Sequence, residues 1–532
     1  MNCIFGEVRR MPAETLVEKK TLISYNPADG SVVGEVAMAD AAEVHDAVER
    51  ARRAQPGWYA RGVRQRLQIV REFQHLLNDR KQQVAAAITR EVGKPVVEAL
   101  LSEVLVVLDA ARFLLDHAYN QLKPEPLPHG ALVMKTKRGA IHREPYGVFG
   151  IISPWNYSFS IPATETLAAL VAGNAVVLKP SELTPFVALE LQKLLYAAGV
   201  PQNVFQVVIG EGPSGAALAE AKIDKLIFTG SVPTGKRVGE AAARRLLPVV
   251  LELGGKDPLL VFDDVDIDVA AAGAVWGAFT NCGQACLSME RCYVQRSIYE
   301  KFAAACAEKA KALRVGNGME NVDVGPLIFE RQLKIVEAHV NDAIQRGARV
   351  LCGGRRLAEM GPCFYPPTVL ADVTHEMLIM REETFGPVLP IAPFDTEEEA
   401  IELANDSEFG LAASVWTRDS ERAKRIAARL QTGSVMLNDM VCSFGISEAP
   451  HGGVKASGMG RTHGSMGLEE MVRPKYIATD LLPGMKKVWW YGYGGNFGAQ
   501  MNNFVNALFA KSLFKRLRGW LGSAAALWRK QV

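Results

Sequence analysis

No stretch of this 532-residue chain reaches the roughly eighteen apolar residues that a membrane-spanning helix needs. Cysteine is scarce: eight residues, thinly spread, exclude a secreted disulfide framework and point to a reducing, cytoplasmic compartment. The N-terminal MNCIFGEVRRMPAE lacks the apolar core of a signal peptide and carries acids that a transit peptide avoids. Net charge is only +2, so nothing in the balance calls for nucleic acid, and no nucleic-acid partner is expected. No internal repeat occurs, and no low-complexity tract precedes the C-terminal tail. In that tail one sign of charge is missing altogether. Residues 481–532 hold eight Lys or Arg and no acid, leaving 52 basic and 58 acidic groups, a net of −6, on residues 1–480.

What is present is an apolar content of 48%, ample for burial, in a chain too long for one ordinary core; two or more domains are expected. From about Ala41 to Asn120 apolar residues recur three and four apart, as in VRQRLQIVREFQHLLNDRKQQVAAAITREVG, which predicts long amphipathic helices ending at Gly93-Lys94-Pro95. LKPEPLPHG then reads as a Pro-rich break. After it come short Val- and Ile-rich runs separated by helical stretches: VFGIISP, NAVVLKP, NVFQVVIG, KLIFTG and VVLELGG. These are the marks of buried parallel strands. The fold class is α/β, a doubly wound Rossmann-like arrangement whose ligands sit beyond the carboxyl ends of the strands. ARVLCGG, LPIAPF, AASVWT and GSVMLN predict a second α/β unit.

FTNCGQACLSMERC concentrates three cysteines, Cys282, Cys286 and Cys292. A metal site would want CxxC or Cys/His pairs from separated places, and no histidine lies closer than His339, so no metal is expected. Apolar packing and a nucleophile both remain open on these residues alone. Other polar residues stand at predicted strand ends. Asn156 follows the first run and offers a carboxamide N–H to a developing oxyanion, or is an ordinary turn residue after Pro154. Lys179, Ser181 and Glu182 follow NAVVL; they can grip ribose hydroxyls or simply begin a helix. Gly230 and Ser231 open a helix whose N-terminus suits an anion, although the turn is neither a GxGxxG fingerprint nor a P-loop. Glu252 is a carboxylate inside an apolar run, where burial raises its pKa toward that of a general base, unless it is paired. Glu383 sits beside an aromatic and a Gly-Pro turn.

The order and wording of these segments, SPWNYSF, LKPSE, FTGSVPTGK, LELGGKDP, FxNxGQxCxxxxxR and EETFGP, closely resemble the aldehyde dehydrogenase superfamily from about Tyr25 to Ile477. The resemblance implies that Cys286 is the nucleophile, because Phe279, Asn281, Gly283, Gln284, Cys286 and Arg291 fill the motif while Cys282 and Cys292 fall at free positions. It also implies a thiohemiacetal and then a thioester on Cys286, with Asn156 and the Cys286 backbone N–H around the oxyanion and Glu252 activating water. Lys179 and Glu182 would hold the adenosine ribose, Gly230 and Ser231 would meet the pyrophosphate, and Glu383 with Phe385 would position the nicotinamide ribose; Trp155 and Ser181 complete the expected cofactor-binding set.

The domains expected on that pattern are an NAD-binding domain over 21–126 and 146–254 and a catalytic domain over 255–445. Oligomerisation elements over 127–145 and 446–480 would give homodimers or homotetramers, and the tail would cover 481–532. Glu182 accepts from ribose hydroxyls and repels a 2′-phosphate, favouring NAD, with NADP as the alternative. Uncharged Ala285 and Leu287 beside Cys286 favour a long-chain aliphatic or aromatic aldehyde over a semialdehyde. A soluble semialdehyde dehydrogenase and a non-catalytic scaffold are the competing readings; the set of Cys286, Glu252 and Asn156 argues against the scaffold. One departure stands out: PHGGVKASGMGR carries His451 where the superfamily signature has Phe, a change expected to alter packing or tunnel shape and not the chemistry.

The tail resembles the C-terminal extension of membrane-associated fatty aldehyde dehydrogenases. Over 511–529 a helical wheel gathers Leu513, Phe514, Leu517, Trp520, Leu521, Ala524 and Trp528 within about 100 degrees, opposite Lys511, Lys515, Arg518 and Arg529. A basic amphipathic helix with Trp on its apolar side predicts a peripheral attachment of residues 485–532 to the inner face of a membrane; packing across a subunit interface or over the substrate tunnel is the alternative.

Overall fold

The computed structural model describes residues 20–527. The N-terminal residues through 19 and the tail residues Trp528, Arg529 and Lys530, invoked above, lie outside the described residues. The chain divides into two compact units, Met1–Leu122 with Glu144–Arg473, and Lys123–Arg143 with Pro474–Val532.

The first unit opens with an antiparallel hairpin, β1 (Thr21–Tyr25) and β2 (Val32–Ala37), followed by helices Ala41–Ala60, Gly62–Asp79 and Lys81–Val92. The first helix begins with a reciprocal capping box, Asp40 receiving the Glu43 N–H. The third stops at Gly93, whose φ of 91° is open to glycine and costly to other residues. One sheet then forms from β5 (Val148–Ile152), β6 (Ala175–Lys179), β7 (Phe205–Val207), β8 (Lys225–Thr229) and β9 (Val249–Glu252), all parallel. Its order is β17-β9-β8-β5-β6-β7, with β17 (Gly458–Met459) antiparallel on β9. All five residues of β5 and of β6 are buried, which is why these runs are apolar without alternation.

The second sheet has the order β12-β13-β14-β11-β10-β15-β16. It contains β10 (Asp257–Val261), β11 (Met289–Gln295), β12 (Arg349–Cys352), β13 (Thr368–Ala371), β14 (Val388–Phe394), β15 (Ala412–Trp416) and β16 (Ser434–Leu437). Only β12 runs antiparallel to its neighbour. The doubly wound α/β class expected from the sequence is the class observed. Sequence reading passed over strands β10, β11 and β13, whose surroundings are interrupted by charge or proline.

The second unit holds a three-stranded sheet of order β18-β4-β3: β3 (Glu125–Leu127), β4 (Lys137–Pro145) and β18 (Val472–Asp480). The predicted Pro-rich break thus contains a strand. Pro126 is tolerated because β3 lies at the sheet edge, where an absent N–H costs no ladder bond. Beyond it the tail forms two helices, Phe497–Phe509 and Leu513–Leu527, packed on each other. Among the described residues no helix is long and apolar enough to cross a membrane.

One buried ion pair fixes the start of the site. Lys94 Nζ lies 2.7 Å from Glu103 Oε1, both side chains fully buried. The same amine donates 2.8 Å to the Asn156 carbonyl and sits 3.9 Å from the Tyr157 ring centroid. Glu103 in turn accepts the N–H groups of Phe159 and Ser160 at 2.7 and 3.1 Å. Removing the cation leaves a buried carboxylate without its counter-charge. Lys94→Met is expected to destabilise the protein by about 3–5 kcal/mol, read as a lower urea midpoint at unchanged slope.

Candidate active site

Four candidate segments follow the C-terminal ends of neighbouring parallel strands: Ser153–Asn156 after β5, Lys179–Glu182 at β6, Gly230–Ser231 after β8, and Glu252 closing β9. Parallel pairing therefore puts them along one edge of a sheet, where an open α/β fold binds ligands.

Cys286 comes from the other sheet, on the turn that leads into β11. Helix Ile267–Phe279 ends just before it, and Asn281, Cys282 and Gly283 then take φ of 51°, 57° and 71°. Two consecutive non-glycine residues in the left-handed region cost on the order of 1–3 kcal/mol each and need external support. Glu98 provides some of it, accepting the Asn281 N–H at 3.1 Å and the Thr280 hydroxyl at 3.0 Å. Gly283 provides more: a Cβ there would fall 2.1 Å from the Gly386 carbonyl oxygen. The Gln284 carbonyl receives the Asn156 carboxamide at 3.1 Å, which ties the candidate oxyanion donor to the Cys286 loop. That contact uses one of the two carboxamide N–H bonds.

Of the three clustered cysteines, Cys282 and Cys292 are buried in the core of the second sheet. Cys286 is part-exposed and lines a cavity of about 510 Å³. The walls are mostly apolar, among them Leu101, Leu105, Val106, Tyr157, Ile161, Trp276, Leu287, Val441, Phe444 and Ile446. Asp109 is the one charged residue in the lining. The nearby cation Arg112 is already paired with Asp109 at 2.9 Å, Glu448 at 2.9 Å and Asp116 at 3.5 Å.

Glu252 and Glu383 both act on Cys286 electrostatically. Burial, with Asp257, Glu383 and Glu252 adding repulsion, pushes the Cys286 thiol well up. Burial, and then Glu165, holds the Glu252 carboxyl well above the ordinary range, with Arg461 opposing. Neither Glu252 oxygen accepts a hydrogen bond among the described residues. Burial and Glu290 push Glu383 up to about 8. Two glycines permit this convergence: a Cβ on Gly254 would lie 2.5 Å from Glu383 Oε2, and one on Gly255 would lie 2.5 Å from the Cys286 carbonyl oxygen. Glu383 also accepts the Gly255 N–H at 3.1 Å. Phe385, at φ 51°, is held through its N–H by Glu290 at 2.8 Å, and its ring meets Trp155 edge-on at 5.4 Å.

A dinucleotide fits the remaining groups. Lys179 is a buried amine 3.3 Å from Glu182 Oε2, and burial lowers its pKa. The Ser181 hydroxyl accepts the Leu183 N–H at 3.2 Å and shapes the turn that presents Glu182. Ser231 is the N-cap of helix Val232–Ala243, yet its hydroxyl turns to Thr234 Oγ1 at 3.1 Å and caps no backbone N–H. The first-turn donors thus remain for an anion. Gly230 leaves open a space where a Cβ would meet the Phe228 ring at 2.7 Å.

Sequence reasoning passed over Lys94, Glu98, Glu103, Glu165, Lys256 and Glu290. Glu103 and Glu165 are lone acids in apolar helical runs, the same signal that singled out Glu252. Lys256 and Glu290, 2.5 Å apart and buried, stand beside motif residues that drew the attention instead. His451 lies 3.8 Å from Glu252. The departure from Phe was expected to alter packing or tunnel shape and not the chemistry; the antiparallel return of β17 onto β9 carries this segment to the carboxylate.

Residues 16–477 match the Aldehyde dehydrogenase family. The 4,4'-diapolycopene aldehyde oxidase of Methylomonas sp is 38% identical over 94% of this chain and 93% of its own length. A putative succinate-semialdehyde dehydrogenase (NADP(+)) of Mycobacterium ulcerans is 40% identical over 85% of this chain and 87% of its own. The solved NAD+ complex of an aldehyde dehydrogenase from Bacillus cereus superimposes with a TM-score of 0.83 at 35% identity, covering 87% of this chain and 94% of that one. A match across most of the length, on a fold that brings a part-exposed cysteine and two buried glutamates together, has one consequence: this chain belongs to the aldehyde dehydrogenase family and is an NAD(P)-dependent oxidoreductase acting on the aldehyde group.

Proposed function

We propose that this enzyme oxidises long-chain aliphatic or aromatic aldehydes to carboxylic acids, with NAD favoured over NADP, as a homodimer or homotetramer beside a membrane. The observation that carries the substrate class is the cavity at Cys286: about 510 Å³, apolar, with an acid as its one charged lining residue. A carboxylated semialdehyde would need a free cation there, and Arg112 is already committed to three carboxylates. The relative named for diapolycopene aldehyde, a long apolar substrate by its name, supports the same reading; the relatives named for succinate semialdehyde make that compound the comparison to run.

In this reading the Cys286 thiolate forms a C–S bond to the aldehyde carbon, and the Asn156 carboxamide with the Cys286 backbone N–H holds the oxyanion. The dinucleotide, when bound, supplies the hydride acceptor. Lys179, Ser181 and Glu182 would hold its adenosine end, Gly230 and Ser231 its pyrophosphate, and Trp155, Glu383 and Phe385 its nicotinamide end. With the hydride gone, a thioester remains on Cys286. Glu252 then takes a proton from water as the water oxygen bonds to the thioester carbon, and the C–S bond breaks to release the acid and the thiolate. The domain assignment follows: 21–126 with 146–254 for the dinucleotide, 255–445 for catalysis, 127–145 with 446–480 for assembly. The outer strand β18 suits assembly, because Tyr476 and Ile477 on it are 50% and 44% exposed.

The tail reading gains support from how its helices pack. Helix Leu513–Leu527 meets helix Phe497–Phe509 through small residues: a Cβ on Gly519 would lie 2.4 Å from the Ala507 nitrogen, and one on Gly522 2.4 Å from the Asn503 carboxamide. Leu513, Phe514 and Leu521 of the apolar arc are left outward, exposed by 70%, 72% and 84%, while Trp520 meets the Phe504 ring edge-on at 6.0 Å. Lys515, Arg516 and Arg518 share the helix, and each basic group near an anionic surface contributes about 1 kcal/mol.

Three outcomes are expected. NADH formation by the purified protein rises with aldehyde chain length, exceeds that with succinate semialdehyde, and is lost in Cys286→Ala; preference for the semialdehyde would overturn the substrate class. Because the Glu252 carboxyl is held up by burial and Glu165, the base form is scarce at low pH, so kcat climbs with pH at values above the ordinary carboxylate range. Glu252→Gln removes that limb and lowers kcat by roughly 10²–10⁴-fold. Phe514→Asp combined with Leu521→Asp abolishes co-sedimentation with anionic liposomes while aldehyde turnover in solution persists; undiminished binding would refute the membrane role.

A further inference from the structure

Glu252 is a poor site for negative charge: buried, beside Glu165, and with no hydrogen bond to either oxygen among the described residues. A base that must ionise there needs a donor at the moment of ionisation. The backbone brings one. Gly458 pairs with Glu252 across β17 and β9, and His451 exchanges two 2.8 Å backbone hydrogen bonds with Thr462, so the intervening loop folds back over the end of β9. His451 Nε2 then stands 3.8 Å from Glu252 Oε2, with the two side chains 5% and 6% exposed. Gly452 keeps the approach open, since a Cβ there would lie 2.9 Å from Glu252 Oε1. The His451 ring is braced edge-on by Phe444, centroids 5.1 Å apart, and Phe444 also lines the cavity that holds Cys286.

We propose that His451 is a positioning residue for Glu252: its neutral imidazole, as the Nε2–H tautomer, donates to Glu252 Oε2 when the carboxylate forms, lowering the pH at which the base becomes available and fixing its orientation toward the thioester. The 3.8 Å separation is longer than a hydrogen bond and closes by a small side-chain rotation, as expected where the acceptor gains its charge only during turnover. The charge state agrees. Burial, with His463 and Arg461 adding repulsion, pushes His451 down to about 3, so the ring is neutral across the working range and keeps one N–H to give. His463, 5.9 Å away between ring centroids, is pushed down to about 4 by burial and is neutral too. The other titratable groups facing the pair are Glu165 from helix Ser160–Ala172, which opposes Glu252 ionisation, Arg461, which favours it, and Cys286.

The inference rests on Glu252 being the base, and the test separates the two. The pH dependence of kcat is measured from pH 6 to 10 on the full-length enzyme with NAD and the aldehyde turned over fastest in the chain-length series. If the rising limb survives in Glu252→Gln, the base assignment itself fails. If the limb vanishes there, His451→Phe is expected to move it upward by about one pH unit or more, giving a roughly tenfold lower kcat at a pH on the rising limb that converges on the wild type at high pH. A burst of NADH should precede the slowed steady state, because acylation of Cys286 is untouched. His451→Gln, whose carboxamide can still donate, should restore the wild-type limb. A limb at its wild-type position in His451→Phe overturns the proposal, and so does an equal displacement in Phe and Gln variants. His451→Leu takes the place of the Phe variant if near-ultraviolet circular dichroism shows that one misfolded.

Discussion

Gly283 approaches Gly386 so closely that one added methyl group would collide with its carbonyl oxygen. Much of the site hangs on that contact. It joins the left-handed turn after helix Ile267–Phe279 to the loop bearing Glu383 and Phe385, and the turn in turn delivers Cys286 to the cavity. The strain of Asn281 and Cys282 is sustained by what surrounds them: Glu98 from one side, the glycine contact from another, and the Asn156 to Gln284 hydrogen bond from a third. A loop held from three directions is a rigid platform for a nucleophile, and rigidity is what orientation of a reacting atom requires.

The second theme is buried charge. Lys94–Glu103 and Lys256–Glu290 are complete pairs, each satisfied further by backbone donors or acceptors, and they fasten loops that bear Asn156 and Phe385. Glu252, Glu165 and Glu383 are instead buried without a full complement of partners, and all three are held above the ordinary carboxylate range. The contrast separates scaffold from chemistry. Paired charges fix geometry, whereas under-partnered carboxyls can be neutral at rest and ionise when turnover demands it. Neutrality of Glu252 and Glu383 at rest also spares the Cys286 thiolate some of the repulsion that their carboxylates would impose.

Much of the framework could be read along the chain. The fully buried parallel strands β5 to β9 are continuous apolar runs with turn residues at both ends, and the helices before them repeat every three to four residues. Asn156, Lys179 and Gly230 could be singled out because each stands at the end of such a run, and Glu252 because it is a carboxylate inside one. The strands β10, β11 and β13 were less legible because charge or proline interrupts their surroundings. Pairing partners were invisible for a deeper reason: Glu98, Lys94 and Glu103 act across sequence distances that no local pattern encodes.

His451 marks the boundary between the two kinds of knowledge. Composition and periodicity determined the fold class, because burial pattern and local turn chemistry are written residue by residue; the family and the candidate nucleophile came from the resemblance of the motifs to the aldehyde dehydrogenase superfamily. That an imidazole faces Glu252, that Arg112 is spent on three carboxylates, and that Leu513, Phe514 and Leu521 of the tail are left exposed were decided only by tertiary structure. Each depends on the direction in which a side chain leaves an element and on what another part of the chain brings opposite it.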